Sequence, residues 1–370
     1  MNFPRLRARR TRLHVNFAAW VGCLSATIGL LSVRAANAQV RAHFEPVLQL
    51  KVPESAAFGF TASSRIVERS DGGYVVAPIT DVGRIAWFDS RGRLQQVTGR
   101  PGEGPGELRL IHSVAALSDG SVAIAGSRLS VLKPGQNVAQ PQVSREGQEV
   151  LSMNSREILV NKLLMPGAKG SPFVVWSTGL DSIRAIQDPF TSMLGDPTFR
   201  RMARRNESSV VVSPVTAFEF AIIDIRTGRA TPLRIGNVRF PSAKFMSVDR
   251  RQPHVAKPYS RVLSLHVYGV DTLVVIYAEA TKDWSPAPMR PQGREGGVVP
   301  AKDISKYLSF KVDIIDMRNG RSIGQHTLQQ AVSAFVGPGI AFSIEESSDG
   351  DLYFQLYRLR LVPAVPFPKK

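Results

Sequence analysis

Apolar residues along this chain come in short runs closed off by small polar turns, and the turns recur in two forms. In the first, a Ser-Asp-Gly turn precedes a β-rich run. It occurs as Ser70-Asp71-Gly72 before Tyr74-Val75-Val76-Ala77, Ser118-Asp119-Gly120 before Val122-Ala123-Ile124-Ala125, and Ser348-Asp349-Gly350 before Leu352-Tyr353-Phe354. An Asp-Gly pair between apolar runs predicts a hairpin, because its turn needs positive φ at the central residues. In the second form the run comes first and a turn rich in Gly and Arg follows. Ile85-Ala86-Trp87-Phe88-Asp89 leads to Arg91-Gly92-Arg93, Phe220-Ala221-Ile222-Ile223-Asp224 to Gly228-Arg229, and Val312-Asp313-Ile314-Ile315-Asp316 to Gly320-Arg321. Val47 to Val52 alternates apolar and polar residues, the period of a half-buried strand, and Pro53 ends it.

The spacings decide what the turns mean. Asp71 and Asp119 are 48 residues apart, Asp224 and Asp316 are 92, and Asp89 and Asp224 are 135. These are one, two and three multiples of a unit of about 45 residues, the period of a β-propeller blade with four short strands. Helical repeats of that length need long amphipathic helices, for which the turns leave no room. The first and second turns then place the blades at Asp71 and Asp89, at Asp119 and Lys133-Pro134-Gly135, at Asn154 and Gly179, at Asn206 and Asp224, and at Asp271 and Asp316. Asp349 marks a sixth blade that ends without a clear outer strand, and Val47–Val52 can supply it. The fold class predicted is all-β: a six-bladed propeller of four-stranded antiparallel blades, closed by the N-terminal strand.

Between the first two blades lies Gly99-Arg100-Pro101-Gly102-Glu103-Gly104-Pro105-Gly106-Glu107-Leu108. Glycine opens backbone conformations closed to other residues and proline fixes its own φ, so the run is a shaped loop. With the paired turns, this loop makes the chain resemble the bacterial exported six-bladed propellers related to NHL-repeat and TolB-like propellers. The resemblance covers most of Val47 to Leu361 and implies the architecture; most members of that group have no assigned activity. WD40 and kelch propellers fit less well, since the Gly-His and Trp-Asp signatures are absent.

Composition adds a destination. The 370 residues carry a formal charge of +17, and six arginines with no acid fall in Met1–Ala38, leaving about +11 for the remainder. A basic stretch ending at Arg12, a largely apolar run from Val15 to Val33 and Ala36-Asn37-Ala38 have the layout of an export signal cleaved before Gln39. An uncleaved anchor also fits the uncharged run in length, but His14, Asn16 and the serines dilute it. The expected division is an export signal at 1–38 and one propeller domain at 39–370, periplasmic or extracellular, with no membrane span after cleavage. Cys23 is the only cysteine, so the remainder can form no disulfide and no thiolate site.

Topology narrows the search for chemistry. The first-to-second and third-to-fourth turns of each blade share one face, and the short Asp turns are assigned to it, Asp349 included. The long insertions, Gly99–Leu108, Leu164–Pro172, Asp188–Arg205, Gly236–Ser260 and Thr281–Lys306, are assigned to the other face, where long loops most often carry function. That face is basic: Arg200, Arg201, Arg204 and Arg205 precede the ligand-binding candidates Arg250, Arg251, His254, Lys257, Lys282 and Trp284. Such a patch fits an anionic small molecule, a glycan or an acidic protein partner, and equally fits solvated loop charge. Nucleic acid is not expected, given export and the lack of an interleaved aromatic and basic array.

Catalytic signatures are sparse. No two histidines have metal-ligand spacing, and neither Gly-x-Ser-x-Gly nor a phosphate-binding Gly-Lys-Ser/Thr is present. Glu103 and Glu107 could form a catalytic pair; acceptance of backbone hydrogen bonds within the loop is the favoured role. No pattern specifies a cofactor, metal or catalytic residue. The expected function is an exported scaffold that binds a ligand or partner at the long-loop face and channel mouth. The alternative is a metal-assisted hydrolase or lyase at the same mouth.

Overall fold

The computed structural model describes residues 39–52, 64–78, 83–140, 142–143, 146–162, 164, 170–190, 199–236, 240, 260–281, 290–292, 297–299, 308–349 and 351–363. Val40–Val362 forms one compact unit. The expected signal segment lies outside the described residues.

The described chain is all β and builds six four-stranded antiparallel blades. It opens with β1 (Val40–Lys51). Blade one follows as β2 (Arg65–Glu68), β3 (Tyr74–Ala77), β4 (Ile85–Phe88) and β5 (Leu94–Thr98). Blade two comprises β6 (Ser113–Ala116), β7 (Val122–Ala125), β8 (Leu129–Leu132) and β9 (Gln142–Val143). Blade three is β10 (Glu149–Ser152), β11 (Glu157–Asn161), β12 (Phe173–Ser177) and β13 (Ser182–Ile186). Blade four is β14 (Arg200–Arg204), β15 (Ser209–Pro214), β16 (Phe220–Asp224) and β17 (Ala230–Leu233). Blade five pairs β18 (Arg261–Tyr268) with β19 (Thr272–Ala280). A small hairpin, β20 (Arg290–Gln292) and β21 (Gly297–Val299), then precedes β22 (Leu308–Asp316) and β23 (Arg321–Thr327). The last sheet holds β24 (Ala334–Gly337), β25 (Ile340–Glu346) and β26 (Leu352–Pro363), with β1 beside β26 as its fourth strand.

The burial pattern explains the sequence pattern. Middle strands such as β3, β4, β7 and β8 are buried along their whole length, because each blade is covered on both faces by its neighbours. Outer strands such as β5, β13 and β17 stay partly in water and read as mixed sequence. Apolar clusters accordingly sit between successive blades, as with Trp87, Ile111 and Val122 between blades one and two. Around the ring, Phe342 and Phe354 of the last sheet pack with Leu50, Ile66 and Phe88.

The turns obey the expected chemistry. The Asp71 carboxylate accepts the amide of Gly73 at 3.0 Å, Asp119 that of Ser121 at 3.0 Å, and Asp224 that of Arg226 at 2.8 Å. Gly72 and Gly120 take φ of +78° and +83°, which a side chain would resist. Asp349 departs from expectation. It joins β25 to β26, second strand to third, so it belongs with the long connections rather than with the short turns. The first turn of that blade is Pro338-Gly339, with Gly339 at φ +70°.

The Gly99–Leu108 loop links β5 to β6. Glu107 accepts the Gly104 amide at 2.7 Å and pairs with Arg100 at 2.9 Å, while Glu103 pairs with Arg109 on the surface. The loop is pinned to blade two by Gln142, which accepts the Gly106 amide and donates to the Glu107 carbonyl, both at 2.9 Å. Arg128 adds a donor to the Gly104 carbonyl at 3.1 Å. Glu107 thus holds the loop from within, whereas Glu103, also expected to accept backbone amides, makes only a surface pair.

Candidate functional site

The first strand of every blade faces the axis, and β2, β6, β10, β14, β18 and β24 together line a cavity of about 430 Å³. These strands begin at the end of the channel where the blade-to-blade connections arrive. Four of them open with charge, Arg65 in β2, Glu149 in β10, Arg200 in β14 and Arg261 in β18. Arg65, Glu149 and Arg201, the second residue of β14, are the charges at this end that line the cavity. Side chains two positions apart share a strand face, and two positions on stand Val67, Leu151 and Ala203. A charged layer therefore sits over an apolar one.

The charged layer has a backbone role as well. A first strand has no neighbour on its axial side, so some of its amides need partners from side chains. Glu149 accepts the Met202 amide at 3.2 Å, Ser113 accepts that of Val150 at 3.3 Å, and Ser264 accepts that of Phe335 at 3.0 Å. In each case a first strand caps the first strand of the next blade. The second oxygen of Glu149 lies 3.5 Å from the Arg201 guanidinium.

Arg65 differs from its neighbours. Its guanidinium makes no hydrogen bond or ion pair among the described residues, although it lines the cavity and feels the Glu149 charge. Burial pushes its guanidinium down to about 10; the charge of Arg201 pushes the same way and that of Glu149 opposes. Burial also pushes the Glu149 carboxyl up, against the two arginines. The Arg201 Nε atom is buried without a hydrogen-bond partner. His112 precedes β6 and is pushed down by burial, with Glu146 opposing and Arg65 adding to the effect. His266 is also in the channel wall, with its ring 4.8 Å from that of Phe335, and burial lowers it to about 4, so it is neutral near pH 7.

The sequence-predicted residues fare unevenly. Arg250, Arg251, His254, Lys257, Lys282 and Trp284 lie outside the described residues. Arg200, Arg201 and Arg204, expected in a loop, belong to β14. Arg200 is buried against Asp188 at 2.7 Å, and only Arg201 joins the charged layer at the long-loop end. Arg205 follows at the opposite end of that strand and pairs with Asp271 at 2.9 Å. Sequence reasoning missed Arg65 and Glu149. Their one signal was local: a charge opening a short strand, ahead of two apolar residues, six or five residues before an Asp or Asn turn. Among the described residues, no three His, Cys, Asp or Glu side chains gather as a metal site would require, and no helix is long and apolar enough to cross a membrane.

No family model and no curated protein matches the chain. Solved structures do. A candidate exported protein from Bacteroides fragilis superposes with a TM-score of 0.55 at 12% identity, covering 87% of this chain and 95% of its own. The RRP9 WD40 repeats score 0.47 at 11% identity over 87% of this chain and 98% of theirs. A protein of unknown function from Bacteroides caccae scores 0.44 at 11% identity, over 80% and 97%. At such identities the first of these speaks for the propeller fold alone.

Proposed function

We propose that this chain is an exported propeller scaffold, of the NHL-repeat and TolB-like kind, that holds a ligand or protein partner at its long-loop face and channel mouth. One observation carries the reading: the end of the channel where the long connections arrive is also where Arg65, Glu149 and Arg201 open onto a cavity. Basic loop sequences together with a charged mouth favour anionic ligands, whether small molecules, glycans or acidic protein segments. Export rests on the leader-like residues 1–38, with 39–370 as the propeller domain; the candidate exported protein of similar fold agrees with it. The metal-assisted hydrolase or lyase has no comparable observation in its favour.

The test uses an array of acidic small molecules, glycans and peptides, probed with the purified protein. Parallel probing uses a variant in which Arg250, Arg251, Lys257 and Lys282 are serine. Binding that weakens with salt and in the variant is the expected result. Equal binding by the variant, or no binding at all, would remove the basis of the reading. N-terminal sequencing of the exported protein should begin at Gln39; retention of residues 1–38 would replace cleavage by an anchor.

A further inference from the structure

Building on the proposed binding role, we propose that the channel mouth is a site for an organic monocarboxylate. Its carboxylate would lie between Arg65 and Arg201, and its apolar part would run inward past Val67 and Leu151. The layer holds two guanidiniums and one carboxylate, so it carries one uncompensated positive charge. A guanidinium facing a cavity without a partner is a costly arrangement that a bound anion relieves. Glu149 is already committed to Arg201 and to the Met202 amide, which leaves Arg65 as the free end of the fork. The planar guanidinium suits a planar carboxylate in two-point contact.

The rest of the cavity selects against other anions. At the mouth a second negative charge would exceed the layer's single surplus positive charge and would meet Glu149, so phosphate is disfavoured there. Arg204 and Arg205 line the other end of the cavity, engaged with the Ser152 and Met153 carbonyls and with Asp271. Below the charged layer Val67, Leu151, Leu263 and Phe335 are half-buried, presenting apolar surface to the channel. A volume of about 430 Å³ falls within the range of small-molecule sites. An amphipathic acid matches both layers at once; a free inorganic ion matches only the first.

Isothermal titration of the purified protein with acetate, butyrate, hexanoate, hexanol and inorganic phosphate tests the site. Affinity should rise along the three acids, hexanol should not bind, and phosphate should not displace hexanoate. Arg65→Met should weaken hexanoate about tenfold or more, the loss of one charge-assisted contact, while its melting temperature holds or rises. Should that variant not fold, the chain-length series and the hexanol control decide the matter in the unaltered protein. Equal hexanoate binding by Arg65→Met, displacement by phosphate, or no binding of any acid would overturn the site. Failure of the acids with retained array ligands would overturn the monocarboxylate and leave the loop-face reading standing.

Discussion

The carboxylate of Glu107 accepts the backbone amide of Gly104 from 2.7 Å away, inside the same ten-residue loop. Its other oxygen holds Arg100, and a side chain at Gly102 would collide with it. Glu103, four residues earlier, is exposed and paired only with Arg109. The two acids should therefore behave differently. Glu107→Ala should cost about 1–3 kcal/mol, because it strands a loop amide and loosens the link between blades. Glu103→Ala should stay within about 0.5 kcal/mol, as for exposed pairs. Urea denaturation of both variants reads the difference, and equal costs would contradict the assignment.

Gly83 gives a second handle on that junction. It sits at φ +58°, and a Cβ there would run into the Leu108 carbonyl and the backbone of Pro101. Backbone cannot rotate aside as a side chain can. Gly83→Ala should destabilise by more than the roughly 1 kcal/mol typical of a glycine with open surroundings. Gly120→Ala, with the same sign of φ and nothing nearby, is the matched control. Thermal melts of the pair should separate steric cost from backbone strain.

How much of this was legible beforehand follows from the range of each interaction. Turn aspartates and glycines act on their own neighbours, so Asp71, Asp119 and Asp224 announced themselves in the sequence and the repeat emerged from their spacing. Asp349 looked the same because the Ser-Asp-Gly sequence is the same, although there the amide two residues on is held by the Ser347 hydroxyl at 3.1 Å. Its position within the blade depends on where the first strand begins, and Ala334–Gly337 carries no turn signature to mark it. The channel mouth was the least legible part. Arg65 and Arg201 are remote in sequence and share a layer only because the ring brings blades one and four to a common axis. A lone arginine at a strand start does not reveal that by itself.

Asp313 provides a prediction in pH. It is fully buried in β22, receives the Ser322 hydroxyl at 2.5 Å, and burial pushes its carboxyl up to about 6. Between its usual value near 3.8 and about 6, the folded protein keeps a proton that the unfolded chain has lost. The folded state binds more protons there, so stability falls as pH rises through that window and is flat above it. The drop is on the order of 3 kcal/mol. Asp313→Asn should abolish it, and unfolding free energies measured from pH 4 to pH 7 give the slope directly. Half-buried turn carboxylates such as Asp89 and Asp224 are held low by backbone amides, so their contribution is lost only at more acid pH.

Arg200 tests the opposite case, a buried charge that is paired. Its side chain is 2% exposed, bonded to Asp188 at 2.7 Å and stacked over Phe190 at 5.5 Å. Removing one partner leaves the other buried and unmatched, so Arg200→Met should cost about 3–5 kcal/mol. Adding Asp188→Leu should recover a large part of that loss. A double-mutant cycle by chemical denaturation measures the coupling, and strict additivity would show that the pair does not act as a unit.

The last sheet carries the remaining prediction, because it joins the two ends of the described chain. β1 lies beside β26; Gln355 donates to the Leu48 carbonyl at 3.1 Å and accepts from Gln49 at 3.1 Å. Leu50 is fully buried among Phe342 and Phe354 of that sheet and Ile66 and Phe88 of blade one, so one strand touches both sides of the seam. A chain starting after residue 52 would bare these groups and the β26 edge. At roughly 1.5–3 kcal/mol for each large apolar side chain exposed, losing Leu50 and Phe44 alone would consume a large part of a typical folding stability of about 5–15 kcal/mol. If β1 closes the ring, the shortened chain should melt far lower or associate through its open edge, and a peptide of residues 40–52 should restore it. A melt within a few degrees of the full chain would mean that the ring holds without it.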